Sequence, residues 1–229
     1  AETPRQALSD ADHAHPVAQR KIGQHKSLHL AGTAEITAVV RERHHNDTLT
    51  LVVVNRVAAA QTIYAELSQE RDDLLLLHSR FRRVDRQSRE RALQGFRGIV
   101  IATQVVEAGI DLDARLLVSE LCPWAAFVQR CGRVGRNGTY ADADVVVVTP
   151  PVPLPYEQAD LDATRQRLAA IDNAGIRSLL AVEAPPQPLP GQRLDQRTLL
   201  RLYDTHPLPQ GDDDISDYLR VGEQRDVSL

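Results

Sequence analysis

The residues best suited to chemistry lie in one stretch near the middle of the chain, Gln129-Arg130-Cys131-Gly132-Arg133-Val134-Gly135-Arg136. Arg130, Arg133 and Arg136 recur at steps of three, which on a helical turn would bring them to nearly one face. A guanidinium fork meets phosphate oxygens two at a time, as a lysine ammonium does not. Placed against a phosphoryl group in transfer, an arginine stabilises the developing charge by a factor of roughly a thousand or more. Gly132 and Gly135 would let the backbone approach a ligand closely. Taken alone, the cluster could equally be a solvated arginine surface. A second polar set upstream, Thr103, Gly109 and Asp111 in a T-x5-G-x-D spacing, tips the balance toward phosphate chemistry.

Both sets follow short β-branched runs suited to buried parallel strands, Ile99 to Ala102 and Leu116 to Ser119. Pro123 suits the first turn of the helix that leads to the arginines. Further strands are predicted at Ser27 to Leu30, Thr48 to Val54, Leu74 to Leu77 and Val145 to Val148. Helices are predicted at Ala34 to Arg43, Ala58 to Leu67, Val84 to Phe96 and Asp160 to Ile171. Alternation of this kind implies a parallel sheet with helices on both faces, and in such sheets ligands gather at the carboxyl ends of strands. Asn55, His78, Ser79, Thr103 and Glu120 stand at those ends.

Several blocks in order resemble the CRISPR-associated helicases of type I interference systems, within superfamily 2. Asn55-Arg56-Val57 with Ala60-Gln61 and Tyr64 is similar to that family's motif IV, and His78-Ser79-Arg80-Phe81 with Asp85, Arg86 and Glu90 to its next block. Ala102 to Glu107 is similar to motif V, and the arginine segment to motif VI. Gly109 stands where serine is more usual in that family, and Gly135-Arg136-Asn137-Gly138 is closer to the generic superfamily ending. The resemblance covers about Ser27 to Val148 and implies the second of two RecA-like domains, a three-layer α/β/α fold with a mainly parallel sheet. It further implies Arg136 as an arginine finger, Arg133 as a second phosphate contact, Gln129 as a polar contact near the γ-phosphate, and Asp111 as acceptor from the ribose with Gly109 beside it. Asn55, Arg56, Ser79, Arg80 and Thr103 would contact a nucleic-acid backbone. The expected cofactor is ATP with Mg2+. The expected partners are a preceding RecA-like domain of the same polypeptide, single-stranded DNA and the CRISPR surveillance complex.

The organisation expected is a connector over 1–24, the RecA-like domain over 25–150, and a proline-rich, mostly irregular or helical extension over 151–229. That extension resembles a linker and the start of the family's accessory carboxyl-terminal region. No G-x-x-x-x-G-K-[ST] phosphate cradle occurs; Gly23-Gln24-His25-Lys26-Ser27 ends like one but lacks its second glycine and its spacing. The arginines would therefore wall a composite site, with the magnesium ligands on the preceding domain, and the fragment alone would be inactive. Two readings compete: a non-catalytic RecA-like module binding nucleic acid or a partner, and half of an RNA helicase.

Composition narrows the classes. The chain has 229 residues, a net charge of -4 and only two lysines, Lys21 and Lys26, so any nucleic-acid contact must be local. Between Arg80 and Arg97 seven arginines stand against two acids, a local excess of the required kind. For Arg89 and Arg91 a solvated helix face is the simpler expectation. Trp124 and Phe127 suit a helix core better than a stacking platform for bases. Cys122 and Cys131 lack metal-ligand spacing, His44 and His45 are expected at the surface, and Asp212, Asp213 and Asp214 suit a solvated turn, so no metal site is expected. No apolar run is long enough for a membrane helix, and a cytoplasmic location is expected. The lack of methionine suggests a piece of a longer polypeptide.

Overall fold

A computed structural model describes residues 14–107 and 110–182. Six strands form one sheet: β1 (Ser27–Leu30), β2 (Leu49–Val53), β3 (Leu74–Leu77), β4 (Gly98–Ala102), β5 (Leu116–Glu120) and β6 (Asp144–Val148). Their order is β1-β6-β5-β2-β4-β3 and every pairing is parallel. In β2, β4 and β5 every residue is buried, as apolar runs covered on both faces require.

Because successive strand side chains point to opposite faces, the sheet feeds two cores. On one face α2 (Ile36–Arg43) and α3 (Val57–Leu67) place Ile36, Val39, Val40, Ala60 and Leu67 against Val52, Ile99, Ile101 and Val118. On the other face α5 (Trp124–Cys131) packs Trp124 and Phe127 onto Leu51, Val53, Val100 and Leu117. These two rings belong to the core, as the sequence implies, with centroids 5.8 Å apart. Two further helices are α1 (Pro16–Gly23), which meets the segment Ile176–Ala181, and α4 (Arg83–Ala92), which packs beside β3, and a 3-10 turn covers Gln104–Val106. The layering is the RecA-like α/β/α arrangement expected.

Within the described part of the extension, α6 (Gln158–Leu168) and α7 (Ile176–Ala181) bury Leu161, Leu168 and Leu179 in the same core as α5. Ser27 at the start of β1 bridges Asn173 between those helices. Thus residues 151–182 cover apolar surface that the sheet would otherwise expose. Asp212, Asp213 and Asp214 lie outside the described residues. His44 departs from its expected surface position: its ring is almost wholly buried, its Nδ1 lies 2.8 Å from Thr50 Oγ1, and burial pushes its pKa down. Adjacent residues of a helix end diverge, so one histidine turns toward the strand while His45 stays exposed. Among the described residues no helix is long and apolar enough to cross a membrane.

Candidate functional site

The carboxyl ends of β2, β4 and β5 meet at a buried polar network centred on Arg130. This guanidinium is fully buried, and all three of its nitrogens donate. Nε donates to Glu107 Oε1 at 2.9 Å, Nη1 to Ser119 Oγ at 2.9 Å and to the Glu120 carbonyl at 3.1 Å, and Nη2 to Asn55 Oδ1 at 3.1 Å. Asn55 in turn donates Nδ2 to the Leu121 carbonyl and its backbone N–H to Glu120 Oε2 at 2.6 Å. Burial pushes the Glu120 carboxyl above its ordinary value, while the Asn55 N–H and the Arg130 charge pull it back. A charge taken out of water is tolerated only when paired and hydrogen-bonded, and the four bonds here come from three places: the end of β5, the turn after β4 and Asn55 just after β2. The network therefore ties β2, the turn after β4, and β5 together.

Arg133 and Arg136 part company with Arg130, which corrects the expectation that the three share one face. The helix ends at Cys131, so the period of 3.6 no longer holds beyond it. Arg133 lies half-buried along the loop after β4, donating Nε to the Val106 carbonyl at 3.0 Å and Nη2 to the Glu107 carbonyl at 2.8 Å. Further on, the chain runs beside the approach to β5, where Ala114 and Val134 form a parallel bridge. Arg136 is exposed there, its Nη1 2.5 Å from Asp111 Oδ1, and its backbone N–H donates to Asp113 Oδ1 at 2.7 Å. With its side chain 41% exposed and that of Asp111 86% exposed, the pair is held weakly against water. Gly109 lies outside the described residues. Gly135 adopts φ +52°, and a Cβ there would lie 3.1 Å from Ala143 Cβ and 3.3 Å from Gln24 Cγ. Its smallness thus serves a left-handed turn and close internal packing, a correction to the expectation that it admits a ligand. Gln129 is exposed on α5.

The residues expected to meet nucleic acid divide in the same way. Ser79 and Arg80 are exposed beyond β3, and Arg56 is half-buried at the start of α3. Asn55, 4% exposed, and Thr103, 2% exposed, are turned into the fold, and the Asn55 amide is consumed by the Arg130 network. Phe81 offers no free face to a base: the His78 ring stacks on it at 4.0 Å and the Arg89 guanidinium sits 4.2 Å from its centroid. Arg89, expected as a solvated residue, is half-buried and also donates to the Leu76 carbonyl at 3.3 Å. Burial pushes the His78 pKa down, with the charges of Arg89 and Arg80 acting in the same direction.

Both cysteines are buried thiols, pushed up by burial to about 11 for Cys122 and about 12 for Cys131, which removes them as nucleophiles. Among the described residues no three His, Cys, Asp or Glu side chains gather as a metal-holding group.

This geometry, one buried arginine bracing the strand ends and one exposed arginine paired with an aspartate across the adjoining loop, sits within a stretch of known kinship. Residues 46–139 match the family model described as CRISPR-associated nuclease/helicase Cas3, C-terminal. Over that stretch the chain is similar to the carboxyl-terminal helicase domain of the Cas3 family. A Cas3 nuclease/helicase of Methanothermobacter thermautotrophicus is 35% identical over 134 residues, which cover 53% of this chain and 16% of that protein. The crystal structure of T. fusca Cas3 with AMPPNP matches 64% of this chain and 22% of its own with a TM-score of 0.57 at 26% identity. A CRISPR RNA-guided surveillance complex in a pre-nicking state contains a chain that matches with a TM-score of 0.55 at 26% identity, again over 64% of this chain and 22% of its own. The chain thus spans about a sixth to a fifth of these Cas3 proteins.

Sequence reasoning overlooked the part played by Glu107 and Lys26. Glu107 follows the buried strand β4 by only a few residues, and an isolated acid so close to a core strand needs a buried cation. Lys26 stands immediately before β1 in a chain nearly devoid of lysine. The residue is 3% exposed, and its ammonium donates to the Cys131 carbonyl at 2.8 Å.

Proposed function

We propose that this Cas3-like domain is the second motor domain of an ATP-dependent helicase that moves along single-stranded DNA in CRISPR antiviral defence in the cytoplasm. The observation that carries the reading is the exposed Arg136, weakly paired to Asp111 and next along the loop from Arg133. Weak exposed pairs exchange readily for a polyphosphate, which offers more oxygens and more charge. Arg136 would move from Asp111 to the phosphate oxygens, with Arg133 and Gln129 as further contacts. Asp111, released, would accept from a ribose hydroxyl. These side chains fit a nucleotide: an exposed guanidinium and carboxylate whose mutual pairing is weak, with the exposed Gln129 amide in the same motif.

ATP, with Mg2+ held by a preceding RecA-like domain of the same polypeptide, supplies the phosphoryl group whose transfer drives movement. The chain's own residues transmit that event. Arg133 grips the Val106 and Glu107 carbonyls, and Arg130 grips the Glu107 carboxylate. A shift of the arginine segment would thus drag the loop that begins at Thr103. Ser79 and Arg80, beyond the neighbouring strand β3, would hold the DNA backbone while that loop moves. The surveillance complex is the expected recruiting partner.

Turnover of ATP by the full-length protein, measured with single-stranded DNA, with RNA and with neither, tests this reading. Stimulation by DNA is expected. Binding of DNA without turnover would instead make the domain a non-catalytic module, and stimulation by RNA alone would make it half of an RNA helicase.

A further inference from the structure

We propose that Lys26 is a positioning residue for the arginine segment, holding Arg133 and Arg136 in place from the opposite side of the loop. The inference rests on the arginine reading above. Lys26 is the last residue before β1, and its root is fixed on both sides. Its N–H donates to Asn173 Oδ1 at 3.0 Å, and its carbonyl accepts from Ala174 N at 2.8 Å. From that anchored root the ammonium reaches the Cys131 carbonyl, the last of α5 and two residues before Arg133.

The same charge is drawn to Asp113. Asp113 accepts the backbone N–H of Arg136, so the lysine acts on both ends of the segment: directly on the helix exit and through Asp113 on the arginine beyond it. Neighbours reinforce the contact. Gln24 Nε2 donates to the Tyr140 carbonyl, and its Cγ would lie 3.3 Å from a Cβ on Gly135. A Cβ on Gly138 would fall 2.5 Å from Arg20 Cγ. The stretch Arg20 to Lys26 therefore lies along the whole turn from Cys131 to Tyr140.

Retention of a buried ammonium asks for a reason. A buried cation costs desolvation that an apolar residue of equal length avoids, so stability alone would be served as well by methionine. A cation at a helix carboxyl terminus does, however, fix the carbonyl that sets the direction in which the chain leaves. Misplacing a catalytic group by an ångström is enough to cost orders of magnitude in rate.

The test uses Lys26→Met in the full-length protein, with ATP turnover, single-stranded DNA binding and thermal unfolding measured together. The expected result is a kcat lower by roughly tenfold, with KM for ATP and Kd for DNA within about twofold of wild type. The unfolding midpoint should stay within about 3 °C. Unchanged kcat in a protein of unchanged midpoint would overturn the assignment. Should Lys26→Met fail to fold, Lys26→Gln, whose amide is too short to reach the Cys131 carbonyl in the same way, decides the matter: about a threefold lower kcat is expected, and no change overturns the assignment. Arg136→Ala serves as the companion. Loss there with none in Lys26→Met overturns only the role of Lys26, whereas no loss in Arg136→Ala overturns the arginine reading and this inference with it.

Discussion

Arg130 and Arg136 are the same residue type, six positions apart in one motif, and they have opposite fates. Arg130 is wholly buried, with its donors bound to Glu107, Ser119, Glu120 and Asn55. Arg136 reaches into solvent with one exposed carboxylate against it. The difference arises where the helix stops: up to Cys131 the chain follows α5 down into the core, and past Gly132 it turns out along the loop before β5. One end of the motif holds the sheet edge together, and the other is free to act. Residue type and spacing suggest phosphate chemistry for both, but burial leaves only the second available for it.

The contrast can be broken most sharply at its buried end. Arg130→Ala leaves Glu120 buried and Glu107 half-buried without their cation, and removing one partner of a buried pair costs up to about 3–5 kcal/mol. Urea unfolding of the full-length protein should show the loss as an early transition, and an unchanged midpoint would mean that the network carries no weight. Asn55→Ala, which strips one acceptor from Arg130 and one donor from the Leu121 carbonyl, should cost about 1–3 kcal/mol in the same measurement. Its effect on DNA affinity should be minor, because the amide faces inward.

On the exposed side, Arg80→Ala should leave stability intact and lower the salt dependence of single-stranded DNA binding by about 0.7 in the log–log slope. An unchanged slope would remove Arg80 from the DNA contact. The smallest expected effect is a pH dependence. Because burial raises the Glu120 pKa in the folded state, the folded protein binds this proton more tightly than the unfolded chain does. Stability from this group is then lost as pH rises from its ordinary value of 4.5 through the raised one. Relative to Glu120→Gln, the wild-type unfolding midpoint should fall with rising pH across that window and then level off. A rising difference would contradict the assigned burial effect.

How much of this was legible in the chain varies by level. All six strands and their alternation with helices could be read, because fully buried parallel strands are written as unbroken runs such as Leu49 to Val53 and Ile99 to Ala102. Trp124 and Phe127 declared a helix core by their spacing. The site was harder. Thr103 and Asn55 stand at strand ends, where ligands gather, yet a strand end is also where a sheet must satisfy its last polar groups, and Asn55 does the second job. Arg130 looked like its neighbours until Glu107, 23 positions earlier, came beside it. Lys26 carried no local signal, since its partners at Cys131 and Asn173 are 105 and 147 positions away. Pairings over such separations are products of the topology.

The central claim is that the exposed guanidinium acts on phosphate and contributes nothing to holding the fold. ATP turnover and urea unfolding of Arg136→Ala in the full-length protein test it together. The account predicts turnover lower by roughly a thousandfold, with single-stranded DNA still bound and the unfolding midpoint unmoved. Turnover within a few-fold of wild type, or a fall in the midpoint comparable to that of Arg130→Ala, would contradict it.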